Sequence, residues 1–204
     1  MTSSCVRSCI AYRRVIDGEI VEFGTTGKLY NSNLLMYDRK TDTWWTQIGG
    51  LAVVGELTGQ RLEAISIDIV VWRDWKTAHP DSEVLSQDTG FPRSYGTDPY
   101  GNYYEDTFIM FPLTDSDERI HPKTVVFGIE VDGQHKAYRE DDLVAAGRIK
   151  DDFAGRLLAV ERDASEMVAV TDLSTGDKIV KERDFWFAWN VFHPETALWG
   201  APTS

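Results

Sequence analysis

Along most of this chain apolar positions recur with a period of two, and short polar turns interrupt them. Ile10, Tyr12, Val15 and Ile16 lead into Asp17-Gly18, after which Val21 and Phe23 resume the alternation. An Asp-Gly pair between alternating segments signals a hairpin, because a type I′ turn needs positive φ at both central residues. The pattern then predicts a strand over 29–37, a turn over 38–42 and a return strand over 43–48 that ends at Gly49-Gly50. A short strand over 51–54 and a longer alternating one over 62–71 follow. Downstream, Val125–Val131 and 135–138 flank a second Asp-Gly turn, and 156–161, 167–171 and 178–181 continue the series.

Two segments shift to helical spacing. Trp72–Ala78 places Trp72 and Trp75 three apart and stops ahead of Pro80, and 141–146 has an acidic start and a Gly147 stop. Between 81 and 106 aliphatic residues almost vanish, leaving a long loop of Gly, Pro, Ser, Asp and Tyr; 108–111 reads as a short strand beyond it. Loops of that length are uncommon in compact domains and are often functional when ordered. The aromatic-rich end over 185–200 shows no regular period and is assigned no element. The predicted fold is mainly β (a β-rich α+β arrangement), with antiparallel hairpins forming a sheet or barrel-like core and two short helices. It is expected to be a single domain over 1–204, with residues 1–8 outside regular structure.

Composition narrows the classes. The chain is 42% hydrophobic with seven Trp, too apolar to be disordered. No apolar run approaches the ~18 residues of a membrane span, so the chain as written reads as soluble. A net charge of −12 repels phosphate backbones and argues against nucleic acid as a partner. A small molecule or a protein remains open as partner, and the sequence names no reaction. There is no serine elbow, no phosphate-binding Gly-rich loop and no ordered triad.

Candidate site residues come from the 28–47 hairpin and the long loop. Asn31, Asn33 and Gln47 are amides amid apolar strand neighbours, where Asn is depleted. On a strand Asn31 and Asn33, two apart, share a face. Such amides either bond loop backbone or face a ligand. A ligand site is expected on that face, with Met36, Asp38 and Trp45 beside it and the 81–106 loop, carrying Asp88, Tyr95 and Tyr100, above it. Cys5 and Cys9 are three residues apart, not the two-spacer pair of a zinc or redox motif. Cys9 with His193, and Met36 as a third ligand, would make a soft-metal site; nothing in the sequence requires a cofactor.

The run GKLYNSNLLMYDRKTDTWWTQIGGLAVVGELTGQRLE, with SQDTGF, VFGIEVDGQHKAY and WFAWNVFHPET downstream, resembles a prokaryotic family catalogued as domain of unknown function 3179. The resemblance covers about 8–199 and implies a mostly β fold without a settled activity. It also implies export or membrane anchoring in longer members, and an upstream half ending in a Cys-Pro-x-Cys-Gly-Ser-like motif. Counted back from Asp17-Gly18, that motif's thiols fall on Ser3 and Val6, so this chain reads as a truncated frame that lacks them. The expected function is therefore a ligand- or partner-binding β domain, its site made by the 28–47 hairpin and the 81–106 loop. The alternative is a metal-handling or redox enzyme whose Cys motif is lost in this copy.

Overall fold

The computed structural model describes residues 2–3 and 8–200, residues 2–3 by backbone alone. Thr2–Ser3 pairs with Ser8–Cys9; Cys5, and with it the expected Cys5–Cys9 spacing, lies outside the described residues. Among the described residues, three four-stranded sheets hold most of the strand residues. The N-terminal sheet holds Phe23–Tyr30, Asn33–Asp38, Trp44–Thr46 and Ala52–Val54 in that order. The central sheet runs Lys181–Phe185, Val125–Val131, Gln134–Arg139 and Ala197–Leu198, the last pairing parallel. A C-terminal meander is made of Arg148–Phe153, Arg156–Arg162, Val168–Asp172 and Lys178–Ile179.

The mainly β, hairpin-built expectation holds, whereas the barrel-like closure and the count of two helices do not. Each four-stranded sheet stays open. A barrel needs a sheet to curl round an interior filled by its own side chains. Here the central sheet instead buries both faces against other elements. Phe127, Ile129, Val131 and Tyr138 point to one face and join Leu143, Leu158, Val160 and Val170 under the meander. Val126 and Ala137 point the opposite way, onto Trp186, Trp189 and Leu198. Alternation along one strand supplies both cores.

The described residues form three seven-residue helices: α1 (Trp72–Ala78), α2 (Glu140–Ala146) and α3 (Trp186–Phe192). The unpredicted α3 is buried at Trp186, Phe187, Ala188, Trp189, Asn190 and Val191. A helix apolar all round has no amphipathic period to read. Its first N–H groups donate to Thr124 O and Pro122 O, at 2.8 and 2.9 Å, in place of a side-chain cap. It stops at His193-Pro194, where proline excludes the preceding residue from helical backbone.

Other differences are local. Asn31 and Ser32 have positive φ and turn the chain between Phe23–Tyr30 and Asn33–Asp38, splitting the strand expected over 29–37. Asn31 therefore does not share a strand face with Asn33; its scarcity in strands was a turn signal, since Asn tolerates left-handed backbone. The long strand over 62–71 shrinks to Ala64–Ile65, and 108–111 is not a strand. Ala64–Ile65 finds only the two-residue partner Ala11–Tyr12, and 108–111 pairs with no strand among the described residues.

The 38–42 turn is anchored by Asp38, which is fully buried. Its carboxylate accepts from Thr41 N at 2.6 Å, Lys40 N at 3.1 Å and the Trp45 indole N–H at 3.0 Å. Burial pushes its pKa up, but the bonds from Trp45 and Thr41 outweigh that and leave it below the ordinary value. Its contribution to stability is thus complete above the ordinary aspartate range and is lost as pH falls through the depressed value. Asp38→Asn turns an acceptor into a donor facing donors and should cost about 1–2 kcal/mol in urea unfolding. No loss would mean the turn holds itself.

Candidate functional site

The cavity-facing side of the central sheet is built by register. Glu182 lies opposite Gly128, and His135 lies opposite Glu130. Asp184, opposite Val126, shares the Glu182 face because the two are two residues apart on one strand. α3 lies across this surface with the Trp189 ring directly over Gly128, so close that a Cβ there would meet three ring atoms at 2.4–2.5 Å. Gly in this strand makes room for the indole.

A cavity of about 390 Å³ opens between this face and the N-terminal hairpins. Glu130, Glu182 and His135 line it from the central sheet, Trp189 from α3 and His193 from the residue that caps its C-terminus, and Tyr12 and Arg61 from the N-terminal side. The imidazoles of His135 and His193 stack with ring centroids 4.0 Å apart, and Trp189 lies 4.1 Å from His193. Glu130 Oε2 approaches His135 Nε2 at 3.4 Å, too poorly aligned for a hydrogen bond, and Nε2 makes no other bond.

Charge is held unusually here. Glu182 retains some exposed surface as a residue, but its Oε2 is shut off from solvent and unbonded. The environment of that oxygen governs the acid. Burial, then the Asp184 and Glu130 carboxyls, raise the Glu182 pKa well above the ordinary value, with Arg61 opposing. Asp184 is raised to about 7, chiefly by burial, while the Ser8 hydroxyl and Arg183 pull it down. His193 is depressed to about 3 by burial, His135 and Arg61. The Glu182 carboxyl is thus biased toward its protonated form, and near neutrality the His193 imidazole is neutral.

Of the sequence candidates, His193 alone lines this cavity. Asn33 and Gln47 bond one another (Nδ2 to Oε1, 2.6 Å), Ile48 N donates to Asn33 Oδ1 at 3.1 Å, and Gln47 Nε2 donates to Ser8 Oγ at 3.0 Å. Asn31 Oδ1 accepts from Thr114 N at 2.9 Å. Met36 and Trp45 belong to the N-terminal core with Ile16, Val21, Ala52 and Leu62. Asp88 is exposed, Tyr95 lies 3.0 Å from the Thr89 hydroxyl, and Tyr100 packs against Tyr103 and Tyr104. Cys9 is a free thiol beside a separate crevice shared with Lys181 and Arg183. The structure does not bring it to His193's cavity, nor Met36 to either. Among the described residues, no group of three or more His, Cys, Asp and Glu is disposed to hold a metal ion.

Sequence reading passed over Glu130, His135, Glu182, Arg61 and Tyr12. Two signals pointed to them. One is the lone Gly128 inside a strand, which marks close approach of another group. The other is Lys181-Glu182-Arg183-Asp184, whose alternation puts both acids on one face if the segment is a strand.

Fold and site together define a class: a mainly β protein of open antiparallel sheets whose central sheet and one buried helix share a carboxyl- and imidazole-lined cavity. The chain belongs to the family described as Protein of unknown function (DUF3179), whose profile matches residues 3–179. The matched stretch includes Tyr12, Arg61, Glu130 and His135 and stops before Glu182 and α3. No curated protein and no solved structure matches the chain. Among the described residues no helix is long and apolar enough to cross a membrane.

Proposed function

We propose that the protein binds a small polar molecule in the cavity between the N-terminal hairpins and α3. The observation that carries this is the convergence of the Glu182 and Glu130 carboxyls with the His135 and His193 imidazoles on one 390 Å³ cavity. Polar groups gathered at one concave site are costly to desolvate without partners, and a polar ligand supplies those partners. Volume and composition support the same reading, since small-molecule sites are concave and largely apolar with a few convergent polar groups.

A second reading, proton-transfer catalysis, is favoured by one further feature. An acid whose pKa is raised and a neutral imidazole line the same cavity, the pairing that general acid–base chemistry uses. In that role Glu182 would donate and His193 accept.

Fragment screening by NMR tests the binding reading. Hits should shift the Trp189 indole N–H and the His135 and His193 ring signals together. Their affinity should fall about tenfold in Glu182→Gln, the loss of one charge-assisted bond. Hits that gather instead at the 81–106 loop, or at the separate 590 Å³ cavity lined by Ile109, Leu113, Ile120 and Phe187, with Trp189 unmoved, would overturn it.

A further inference from the structure

Elsewhere this chain keeps buried acids ionised by surrounding them with donors. Asp38 receives two backbone N–H groups and an indole N–H. Asp172 receives Ser174 N at 2.8 Å and has the Arg156 guanidinium at 3.5 Å. On the cavity face that provision is absent. Glu182 Oε2 and both Asp184 carboxyl oxygens are shielded without a well-formed hydrogen bond. Glu130, on the neighbouring strand, adds a third carboxyl beside Glu182. The guanidinium of Arg61 lines the same cavity but is exposed, and its Nη1 donates to Gly49 O at 3.2 Å. Two lining carboxyls, Glu130 and Glu182, meet one rim cation, so the cavity offers more acidic groups than cations to pair with them.

The walls are aromatic. Tyr12, Trp189, His135 and His193 all line the cavity, and the Tyr12 hydroxyl is already committed to Gln47 O at 2.8 Å. Tyr12 therefore offers its ring rather than its hydroxyl. Carboxyl floor and aromatic walls are the combination that recognises an organic cation, through charge and through the electron-rich ring faces. The overall charge of −12 draws cations toward the protein. A bare metal ion suits the site less, given the absence of a three-ligand group among the described residues.

We propose that the cavity takes a primary ammonium carried on a compact apolar body, its N–H groups donating to Glu182 and Glu130 and its body lying among the Tyr12, Trp189 and His193 rings. The inference rests on reading this cavity as the ligand site. It entails a proton balance: burial and the neighbouring carboxyls bias Glu182 toward its protonated form, so as the ammonium arrives the acid shifts toward the carboxylate and releases proton to solvent. Asp184 and Glu130 on the sheet, Arg61 and Tyr12 from the N-terminal side, and His135 and His193 are the titratable or charged groups that face it or share the cavity.

Three matched probes test this: benzylamine, benzyl alcohol and benzoate, titrated at pH 7 against the full chain by calorimetry and by the Trp189 indole signal. Benzylamine should bind at least tenfold more tightly than benzyl alcohol, and benzoate more weakly than either. Its apparent enthalpy should differ between phosphate and Tris by an amount that reports proton release. Glu182→Gln should remove the preference for the amine. Glu130→Gln, at a half-exposed carboxyl, should reduce it and serves should the first variant fail to fold. Equal binding of the alcohol, preference for benzoate, no binding of any probe, or an amine preference that survives both substitutions would overturn the proposal. If other fragments still move Trp189 in those cases, the site reading stands and only the ligand class falls. If no fragment moves Trp189, the site reading falls with it.

Discussion

Asp184→Asn is expected to stabilise the protein at pH 8.5 and to leave it almost unchanged at pH 4. The Asp184 carboxyl is fully buried and has its pKa raised to about 7 in the fold, against 3.8 for the free side chain. A raised acid contributes stability that is complete below the unfolded value and is lost as pH climbs through the folded one. The loss therefore accumulates between pH 3.8 and about 7 and is constant above. At about 1.4 kcal/mol per pH unit it amounts to roughly 4 kcal/mol at most. Arg183 and the Ser8 hydroxyl already act on the carboxylate, so a gain of about 2–4 kcal/mol is the expectation for the neutral amide. For a chain of this size that corresponds to a rise in Tm of roughly 4–16 °C. Melting curves of both proteins from pH 4 to 8.5 decide it, because the difference between them cancels the titrating groups that Asp184 does not touch; Glu182, whose pKa Asp184 helps to raise, adds to the difference in the same direction. Parallel curves would show that Asp184 ionises in the fold without penalty.

Gly128→Ala is expected to cost about 3 kcal/mol, at the upper end of overpacking substitutions. Backbone strain plays no part, since the φ of Gly128 is not positive; the cost is steric. A methyl here would overlap three atoms of the Trp189 ring, which is 2% exposed and held by its indole N–H to Thr196 Oγ1 at 2.9 Å. His193 lies against the same ring, so it cannot slide away freely. Trp189→Phe shortens the ring that collides. The double variant should then lose clearly less than the sum of the single losses, a coupling of about 1–2 kcal/mol. Chemical denaturation of the four proteins gives that coupling directly. Strict additivity would mean that Gly128 serves something other than the indole.

Both residues bear on the cavity, and neither was legible as part of a site. Glu182 and Asp184 alternate with Lys181 and Arg183 in plain view, yet a charged run reads as a solvated face until a partner is known to cover it. Asp184 lies against Ser8 and Glu182 faces the cavity that α3 helps to wall, and α3 was invisible for a related reason: with six of its seven residues buried it shows no amphipathic stripe. The amides fared differently. Asn33 and Gln47 stood out as polar groups among apolar neighbours, and the structure bonds them to each other and to Ser8, which lies beside Asp184. Asn31 stood out for the same scarcity but sits in a turn, because scarcity of Asn in strands marks turns as readily as buried amides.

The hairpins were determined by the sequence alone. Asp17-Gly18 and Asp132-Gly133 adopt positive φ as their residue types require, and the alternation over Val125–Val131 assigns Phe127, Ile129 and Val131 to one face. Those are local facts, written in steric preference and in a period of two. Only the tertiary structure decided that the sheets stay open, that an unpatterned aromatic segment becomes the helix between sheet and cavity, and that Tyr12, Arg61, Glu130, Glu182 and His193 meet. These residues are scattered from position 12 to position 193, and no local rule links them. They converge because both faces of the central sheet are buried against elements distant in sequence, which takes apolar surface out of water, and the cavity forms where that packing leaves polar groups uncovered.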